Sequence, residues 1–387
     1  MNTSGTTKEV QVSKEENFWR LEEEFYSKDR KASRKERKLA SSKDRSKYKK
    51  SDQDQLKKKS DLTQGGGSDQ AKRGRVLAIL PEGILVSSDC VEHLCSLKGS
   101  LKQDKNRIKN LVAVGDFVRF EEKGSNEGVI FHIEARHSIL SRADNLSRTK
   151  EQLIAVNIDQ VLITTSVVLP PLKPYLVDRY IIAAQKGNMR PVIVINKIDL
   201  LDNPSEGISV NIGEEKALLE EFVQVYQSLH LKVIPVSIET QKGIEELKEA
   251  MHGKTSVFSG QSGVGKSSLI NLITGSELDT GSIVQKTKKG SHTTTTTHLI
   301  PLENGGFCID TPGIKSFGIW DLKKEEISAY FPEILRISAK CKFPDCSHLN
   351  EPDCAVQRAV EKNRISRLRF GSYCALMSSL SEKHRQR

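Results

Sequence analysis

Gly260-Gln-Ser-Gly-Val-Gly-Lys-Ser267 follows the apolar run 255–259 and opens a helix-like segment. A glycine-rich turn between a strand and a helix lets backbone N–H groups close around phosphate oxygens. Lys266 is expected to reach the β- and γ-phosphates, and Ser267 to ligate Mg²⁺. The motif alone indicates a nucleoside triphosphate without separating ATP from GTP, and the alternative is a glycine-rich turn that binds nothing. The residues predicted to contact nucleotide here are Gly260, Gln261, Ser262, Gly263, Val264, Gly265, Lys266, Ser267 and Ser268.

A second motif, Asn196-Lys-Ile-Asp199, precedes this loop, whereas in an ordinary GTPase it comes last. A carboxylate at Asp199 accepts two hydrogen bonds, which suits guanine N1–H and N2–H₂ and does not suit adenine. Asn196 is expected to brace the loop and Lys197 to lie along the base, while Asp199 as a mere helix cap is the alternative. The reversed order predicts a circularly permuted domain. The predicted base-side contacts are Asn196, Lys197, Ile198, Asp199 and, after the next strand, Ser237.

Strand-like and helix-like segments alternate between residues 160 and 310. Apolar runs such as Val161-Leu-Ile-Thr-Thr165 are separated by helical stretches near 174–186 and 214–229. Such alternation predicts a parallel sheet with helices on both faces. Ligands of these sheets bind at the carboxyl ends of the strands, and both motifs lie at such an end.

Asp310-Thr-Pro-Gly313 follows another short apolar run. Asp310 is expected to hold Mg²⁺, usually through water, and the Gly313 N–H to sense the γ-phosphate. The next residue is Ile314, where many GTPases have the Gln that orients the attacking water. We therefore expect slow intrinsic hydrolysis or a catalytic group from elsewhere in the chain.

Gly290-Ser-His-Thr-Thr-Thr-Thr-Thr297 lies between the phosphate loop and Asp310, where a first switch segment belongs. Thr294 or Thr295 would complete the Mg²⁺ shell, and Thr294 is our choice. His292 would position water in place of the missing Gln. The alternatives are a threonine-rich β-strand and a loop histidine with no catalytic part.

Cys341-x4-Cys346-x-His348-x5-Cys354 offers three thiolates and one imidazole. These four ligands complete a tetrahedral Zn²⁺ shell with no position left for water, which predicts one structural zinc ion. Unpaired core cysteines are the alternative. The remaining cysteines are predicted to be small core residues: Cys90, Cys95, Cys308 and Cys374.

Short apolar runs punctuated by Gly, Pro and Asp fill residues 73–140 and predict a five-stranded OB-type barrel. Four such runs are visible, at 75–80, 83–86, 112–120 and 128–133. A loop within this region carries basic residues that either contact RNA or simply solvate the loop. They are Lys98, Lys102, Lys105, Arg107 and Lys109.

Basic residues are concentrated near the N-terminus of this chain of 387 residues and net charge +10. Residues 30–60 carry 14 Lys or Arg and 4 Asp or Glu, so the rest of the chain is close to neutral. Residues 1–72 contain too few large apolar residues to offset the entropy of ordering, which predicts a disordered tail. This tail is either a segment that is merely exposed to solvent or an arm that binds nucleic acid through its phosphates.

With no long apolar run and no signal segment, we expect a cytoplasmic protein without membrane contact.

In combination these motifs resemble the RsgA (YjeQ) family of GTPases that depend on the small ribosomal subunit. The resemblance covers about residues 73–380 and places the family's catalytic histidine on His292. It implies that the barrel and zinc domain bind the small subunit, and that GTP hydrolysis accompanies late maturation and release of the factor. The chain departs from the family at Ser291, where Arg or Lys is usual, and in its long basic tail.

The sequence thus predicts a disordered basic tail (1–72), an OB-fold barrel (73–142), a circularly permuted α/β P-loop GTPase domain (150–318) and a small α-helical zinc-binding domain (319–387). The expected function is that of a monomeric GTPase using GTP, Mg²⁺ and one Zn²⁺, with the small ribosomal subunit and its rRNA as partners. One alternative is an RNA-binding assembly factor with a regulatory, weakly hydrolytic GTP site. Another is an ATP-using kinase or ATPase, against which Asn196 and Asp199 argue.

Overall fold

The computed structural model describes residues 71–99, 101, 111–143, 151–203, 211–275, 297–310, 322 and 324–385, all within the compact unit Thr63–Arg387. Nearly all of the predicted tail and most of the basic loop near residue 105 therefore lie outside the described residues. Three predicted site residues lie outside them as well: His292, Thr294 and Gly313.

A closed barrel forms the N-terminal part of the described chain. Its strands are β1 (Lys72–Ile79), β2 (Ile84–Ser88), β3 (Val91–Leu97), β4 (Phe117–Glu122) and β5 (Glu127–Ile133). They pair in the order β1-β2-β3-β5-β4, and β4 returns to β1 to close the barrel. The predicted OB-like architecture is confirmed. The four apolar runs from which the barrel was predicted did not include β3, because Glu92 and His93 interrupt the apolar pattern of that strand.

The barrel core follows from alternation along its strands. Val76, Val86, Val118, Phe120 and Ile130 all point inward and are fully buried. At about 1.5–3 kcal/mol for each large apolar side chain removed from water, this alternation is the main source of barrel stability.

A hairpin of β6 (Ile139–Ala143) and β7 (Glu151–Val156) links the barrel to the following sheet. Beside it, the Arg136 guanidinium donates two hydrogen bonds to Asp116, at 2.6 and 2.7 Å. Asn157, which adopts a left-handed conformation, donates to the carbonyl of Gly115 and accepts from the His137 N–H. These contacts fix the end of the barrel on the hairpin.

A parallel sheet forms the centre of the molecule. Its parallel strands are β8 (Gln160–Ser166), β9 (Arg190–Asn196), β10 (Lys232–Pro235), β11 (Thr255–Gly260) and β13 (Phe307–Asp310). The antiparallel β12 (His298–Pro301) follows β13 in the order β10-β9-β8-β11-β13-β12. Buried β-branched runs such as Val192-Ile-Val-Ile195 suit strands covered on both faces.

Helices cover both faces of this sheet. They are α1 (Pro174–Lys186), α2 (Ile212–Ser228), α3 (Ile244–Met251) and α4 (Lys266–Thr274), with a 3₁₀ turn at Ile198–Leu201. The Pro174 ring begins α1 without losing a hydrogen bond, and the Asn211 side chain caps α2 by accepting from the Gly213 N–H. The predicted α/β domain and its permuted order of motifs are confirmed.

The C-terminal region is helical, as predicted. It contains a 3₁₀ turn (Lys324–Tyr330), α5 (Pro332–Ser338), α6 (Ala355–Glu361) and α7 (Arg367–Arg385). Its buried Phe331, Tyr373 and Leu376 belong to the same hydrophobic cluster as Val177 and Ile181 of α1. The region therefore packs directly on the parallel-sheet domain.

The barrel and the central sheet form one continuous hydrogen-bonded sheet. Ala78 of β1 is paired with His298 of β12, and His298 is paired on its other side with Asp310 of β13. One strand therefore separates the barrel from the strand that ends at Asp310.

Arg75 of β1 reinforces this junction. Its guanidinium lies between the rings of Phe117 and Phe307, 4.9 and 4.6 Å from their centroids. It also donates to the Thr255 hydroxyl at 2.8 Å and to the carbonyl of Asn157 at 3.0 Å. Burial lowers the pKa of Arg75 to about 10, so the side chain remains charged at neutral pH.

One prediction for the cysteines outside the cluster is wrong. Cys95 and Cys308 are buried as expected and Cys374 is partly buried, but Cys90 is exposed. It occupies a left-handed position in the turn between β2 and β3, and such a turn projects its side chain into solvent.

Among the described residues, no helix is long and apolar enough to cross a membrane.

Candidate functional site

The carboxyl ends of the parallel strands bring the predicted motifs to one edge of the sheet. The phosphate-loop sequence follows β11, the Asn196–Asp199 motif follows β9, and Ser237 lies just beyond β10. Asp310 is the last residue of β13, although its side chain is not among those described. This is the edge where open parallel sheets bind ligands.

Asn196 connects the base-side motif to the phosphate loop. Its side-chain Nδ2 donates to the carbonyl oxygen of Val264 at 2.9 Å. Gly265 comes next, with φ of 90°, and a Cβ there would overlap the Asn196 amide. Glycine is therefore required both for the backbone conformation and for the close approach of Asn196.

Lys197 makes a second connection between the two motifs. It has a left-handed backbone, and its Nζ donates to the carbonyls of Gly263 at 2.6 Å and Leu169 at 2.7 Å. Burial lowers the pKa of Lys197, and the nearby Asp199 opposes that shift. These two hydrogen bonds fix the Lys197 side chain between the loop after β8 and the phosphate loop.

Asp199 is oriented by Ser237. The Ser237 hydroxyl donates to Asp199 Oδ1 at 2.6 Å, and Ser237 Oγ accepts from the Thr240 N–H at 3.2 Å. Ser237 itself is fully buried. A carboxylate held in one rotamer by a buried hydroxyl is preorganised to accept two donors from a planar ligand edge.

The phosphate loop has the conformation that its glycines allow. Gly260 has φ of 149°, and a Cβ there would overlap the backbone carbonyl of Thr164 on the neighbouring strand. Lys266 Nζ lies inside the loop and donates to the carbonyls of Gly260 at 2.9 Å and Gln261 at 2.7 Å. Ser267 and Ser268 follow on the first turn of α4, with Ser267 exposed. The Lys266 ammonium thus lies against the backbone of the loop that follows β11.

One buried polar atom tests whether this site suits a nucleotide. Asn196 Oδ1 is buried and has no hydrogen-bond partner among the described residues. Such an orphaned acceptor is costly unless a ligand or water supplies a donor. Together with the glycine-lined loop, Lys266 and the oriented Asp199, it fits a purine nucleotide that carries donors on its base edge.

A separate cluster in the C-terminal region has the geometry of a metal site. The ligand atoms of Cys341, Cys346, His348 and Cys354 all lie within 4.8 Å of one another. Cys354 Sγ is 3.4 Å from His348 Nδ1, 3.9 Å from Cys341 Sγ and 3.8 Å from Cys346 Sγ. A tetrahedral ion with bonds of about 2.3 Å to sulfur and 2.0 Å to nitrogen separates its ligands by about 3.5–3.8 Å. The donor set therefore fits Zn²⁺.

The backbone around this cluster is also held by side chains. Gln357 Nε2 donates to the carbonyls of His348 and Leu349, at 3.0 and 2.9 Å. Glu351 accepts from the backbone and hydroxyl of Ser347. Such supporting contacts fix the orientation of the ligands.

One segment of the site was missed in the sequence. Leu169 and Pro170 lie in the loop after β8, where Leu169 accepts from Lys197 and Pro170 lies beside Gly263. Ser166 Oγ donates to the Pro170 carbonyl at 2.6 Å and closes the turn. The Pro170-Pro171 pair after a strand was the available signal, because loops at the carboxyl ends of parallel strands face the ligand.

The family model for the RsgA GTPase matches residues 133–320 of this chain. The small ribosomal subunit biogenesis GTPase RsgA of Chlorobaculum parvum is 45% identical over 287 residues, which cover 72% of this chain and 88% of that protein. The protein of the same name from Yersinia enterocolitica is 35% identical over 320 residues, which cover 78% of this chain and 85% of that protein.

Solved structures agree with these matches. The crystal structure of YjeQ from Thermotoga maritima superposes with a TM-score of 0.63 at 31% identity, covering 80% of this chain and 98% of that one. The crystal structure of YloQ, described as a circularly permuted GTPase, superposes with a TM-score of 0.62 at 27% identity, covering 83% of this chain and 99% of that one. The reversed motifs, the barrel and these similarities together show that this chain belongs to the RsgA family of circularly permuted GTPases.

Proposed function

We propose that this protein hydrolyses GTP and acts in biogenesis of the small ribosomal subunit, coupling hydrolysis to late subunit maturation and to its own release. The observation that carries the nucleotide assignment is the hydrogen bond from Asn196 to Val264, which unites base-side and phosphate-side motifs. The names of the relatives, small ribosomal subunit biogenesis GTPases, support the biological process.

In this proposal the chain provides the nucleotide site mainly through rigid contacts. Asp199, oriented by Ser237, accepts the guanine N1–H and N2–H₂, and Lys197 lies along the base. Lys266 and the loop N–H groups bind the phosphates. Such positioning and electrostatic stabilisation supply most of the catalysis in phosphoryl transfer.

The two metal ions have different proposed parts. Ser267, Thr294 and Asp310 are proposed to hold Mg²⁺, which when bound neutralises charge on the phosphates. Zn²⁺ at Cys341, Cys346, His348 and Cys354 is proposed to be structural, because all four ligand positions are taken by protein.

His292 is proposed as the catalytic residue that positions the attacking water, since Ile314 cannot do so. Gly313 is proposed to contact the γ-phosphate. The His292→Ala variant should then bind GTP normally and hydrolyse it slowly. Ser267→Ala should lose Mg²⁺-dependent hydrolysis, and normal turnover by that variant would contradict the assignment of the loop.

The partner is proposed to be the small ribosomal subunit and its rRNA, bound by a monomer of this protein in the cytoplasm. The OB-like barrel, a fold that often binds nucleic acid, and the predicted basic tail support a nucleic-acid partner. Gradient co-sedimentation with purified small subunits at two salt concentrations measures this binding, and light scattering measures the oligomeric state.

The deciding experiment measures GTP hydrolysis with and without small subunits, with ATP as the control. Strong stimulation that is specific for GTP would support the proposal. Salt-dependent subunit binding with negligible turnover would instead favour an assembly factor whose GTP site only regulates affinity, a reading that Ile314 supports. Equal use of ATP would contradict the guanine assignment.

A further inference from the structure

A buried ion pair joins the C-terminal region to the helix that follows the nucleotide-site loop. Arg369 of α7 donates from Nη1 to Asp178 of α1, and the two side chains are 4% and 0% exposed. Arg369 Nε donates to Glu333 of α5 at 2.7 Å. Its guanidinium also lies 4.2 Å from the Phe331 ring centroid. One cation thus holds α1 against two elements of the C-terminal region.

The loop at residues 167–172 connects β8 to α1. The Leu172 N–H donates to the Val167 carbonyl at 3.0 Å, and Ser166 Oγ donates to the Pro170 carbonyl at 2.6 Å. Val167 and Leu172 are buried in the same hydrophobic cluster as Val177 of α1. Because a close-packed interior transmits displacements, the loop is expected to follow the position of α1.

This loop reaches the nucleotide site through its backbone. The Leu169 carbonyl accepts from Lys197 Nζ at 2.7 Å, and Lys197 Nζ also donates to the Gly263 carbonyl of the phosphate loop. Among the described residues, Leu169 thus contributes one of the two carbonyl acceptors of the Lys197 ammonium. A shift of the loop would alter the orientation of Lys197 between the base and the phosphates.

We propose that Asp178 and Arg369 are positioning residues for the nucleotide site. Through α1 and loop 167–172 they set the orientation of Lys197. They thereby couple the affinity for guanine nucleotide to the packing of the C-terminal region. The proposal rests on the proposed guanine site. By thermodynamic reciprocity, nucleotide binding must in turn stabilise the contact between α7 and α1.

The test compares Asp178→Ala with Glu333→Ala. Each variant removes one carboxylate from Arg369 and leaves the other, but only Asp178 belongs to α1. Titration of a fluorescent GDP analogue gives the Kd, and hydrogen exchange of residues 367–385 with and without saturating GDP reports on α7. We expect Asp178→Ala to raise the Kd about five- to tenfold and to reduce the protection of α7 by GDP. Glu333→Ala should stay within about twofold of the wild type.

Ser166→Ala provides a second test in case Asp178→Ala does not fold. This variant keeps the ion pair and loosens only the loop, so it should raise the Kd and remove the effect of GDP on α7. Wild-type Kd values and α7 protection in both Asp178→Ala and Ser166→Ala would overturn the coupling. An equal loss in Glu333→Ala would assign the effect to general packing and also overturn it. Failure of the wild type to bind GDP would contradict the proposed function itself.

Discussion

The side-chain amide of Asn196 donates to the carbonyl of Val264 at 2.9 Å, across 68 positions of sequence. Lys197 reaches the neighbouring Gly263 in the same way. Although the two motifs occur in reversed order along this chain, direct hydrogen bonds still hold the base-side motif and the phosphate loop together. Nucleotide specificity and phosphate binding are therefore expected to change together when this contact is altered.

The specificity of the base site is expected to depend on the Asp199 carboxylate. Asp199→Asn replaces an acceptor-only group by an amide that cannot accept both guanine donors. Two charge-assisted hydrogen bonds at about 1.5–3 kcal/mol each predict a loss of GDP affinity of at least about 100-fold. An amide does complement xanthine, whose base edge presents an oxygen at position 2, so XDP should bind better to this variant than GDP. Competition titrations with the two nucleotides measure both effects.

Asp202→Asn is the matched control for Asp199. It makes the same change three residues later, on a side chain that is 71% exposed and forms an ion pair with Lys216 at 3.0 Å. GDP affinity should change by less than about twofold, because this ion pair lies on the surface, where solvent screens it. An equal loss in both variants would point to a change in overall charge and not to base recognition.

Gly265 is expected to tolerate no side chain. Gly265→Ala forces φ of 90° on alanine and drives its Cβ into the Asn196 amide, so nucleotide affinity should fall by more than about tenfold. Gly275→Ala is the control at the other end of α4. It has φ of 65°, and no atom of the described residues lies within 4 Å of where its Cβ would be, so it should lower stability by only about 1 kcal/mol and leave affinity unchanged. Near-normal GDP binding by Gly265→Ala would contradict the bracing role of Asn196.

The thiol and imidazole cluster is expected to bind one zinc ion per chain. Cys354→Ser should abolish the bound zinc and lower the melting temperature, because Cys354 lies between both other cysteines and His348. Metal analysis of the purified protein and thermal unfolding with and without a chelator measure this. Cys90→Ser, at an exposed position outside the cluster, should keep one ion and the wild-type melting temperature.

The buried pair of Arg136 and Asp116 is expected to stabilise the barrel. Arg136→Met leaves the fully buried Asp116 carboxylate without its bidentate partner, which predicts a loss of about 3–5 kcal/mol in the free energy of unfolding. Urea denaturation measures this loss, and adding Asp116→Asn to the variant should recover part of it. Arg119→Ala is the control, since Arg119 is half exposed and 3.6 Å from Glu134, and it should cost less than about 1 kcal/mol.

Local patterns in the sequence predicted most of the elements. Fully apolar β-branched runs such as 192–195 give parallel strands, and Gly260 and Gly265 give the loop between β11 and α4. The strand β3 was missed because half of it faces solvent and its polar Glu92 and buried His93 break the apolar alternation. The exposure of Cys90 was missed because composition favours burial of cysteine, whereas a left-handed turn overrides that preference.

The sequence by itself determined the circular permutation, the residue types of the two nucleotide motifs and the donor set of the Cys/His cluster. Each of these depends on residue types at short spacing or on their order along the chain, for example Asn196 to Asp199 or Cys341 to Cys354. Only the tertiary structure decided that Leu169 contacts Lys197, that Arg369 contacts Asp178 and that β12 joins β1. Those contacts link residues far apart in sequence, and they follow from how α1, α7 and the two sheets pack, which no local pattern specifies.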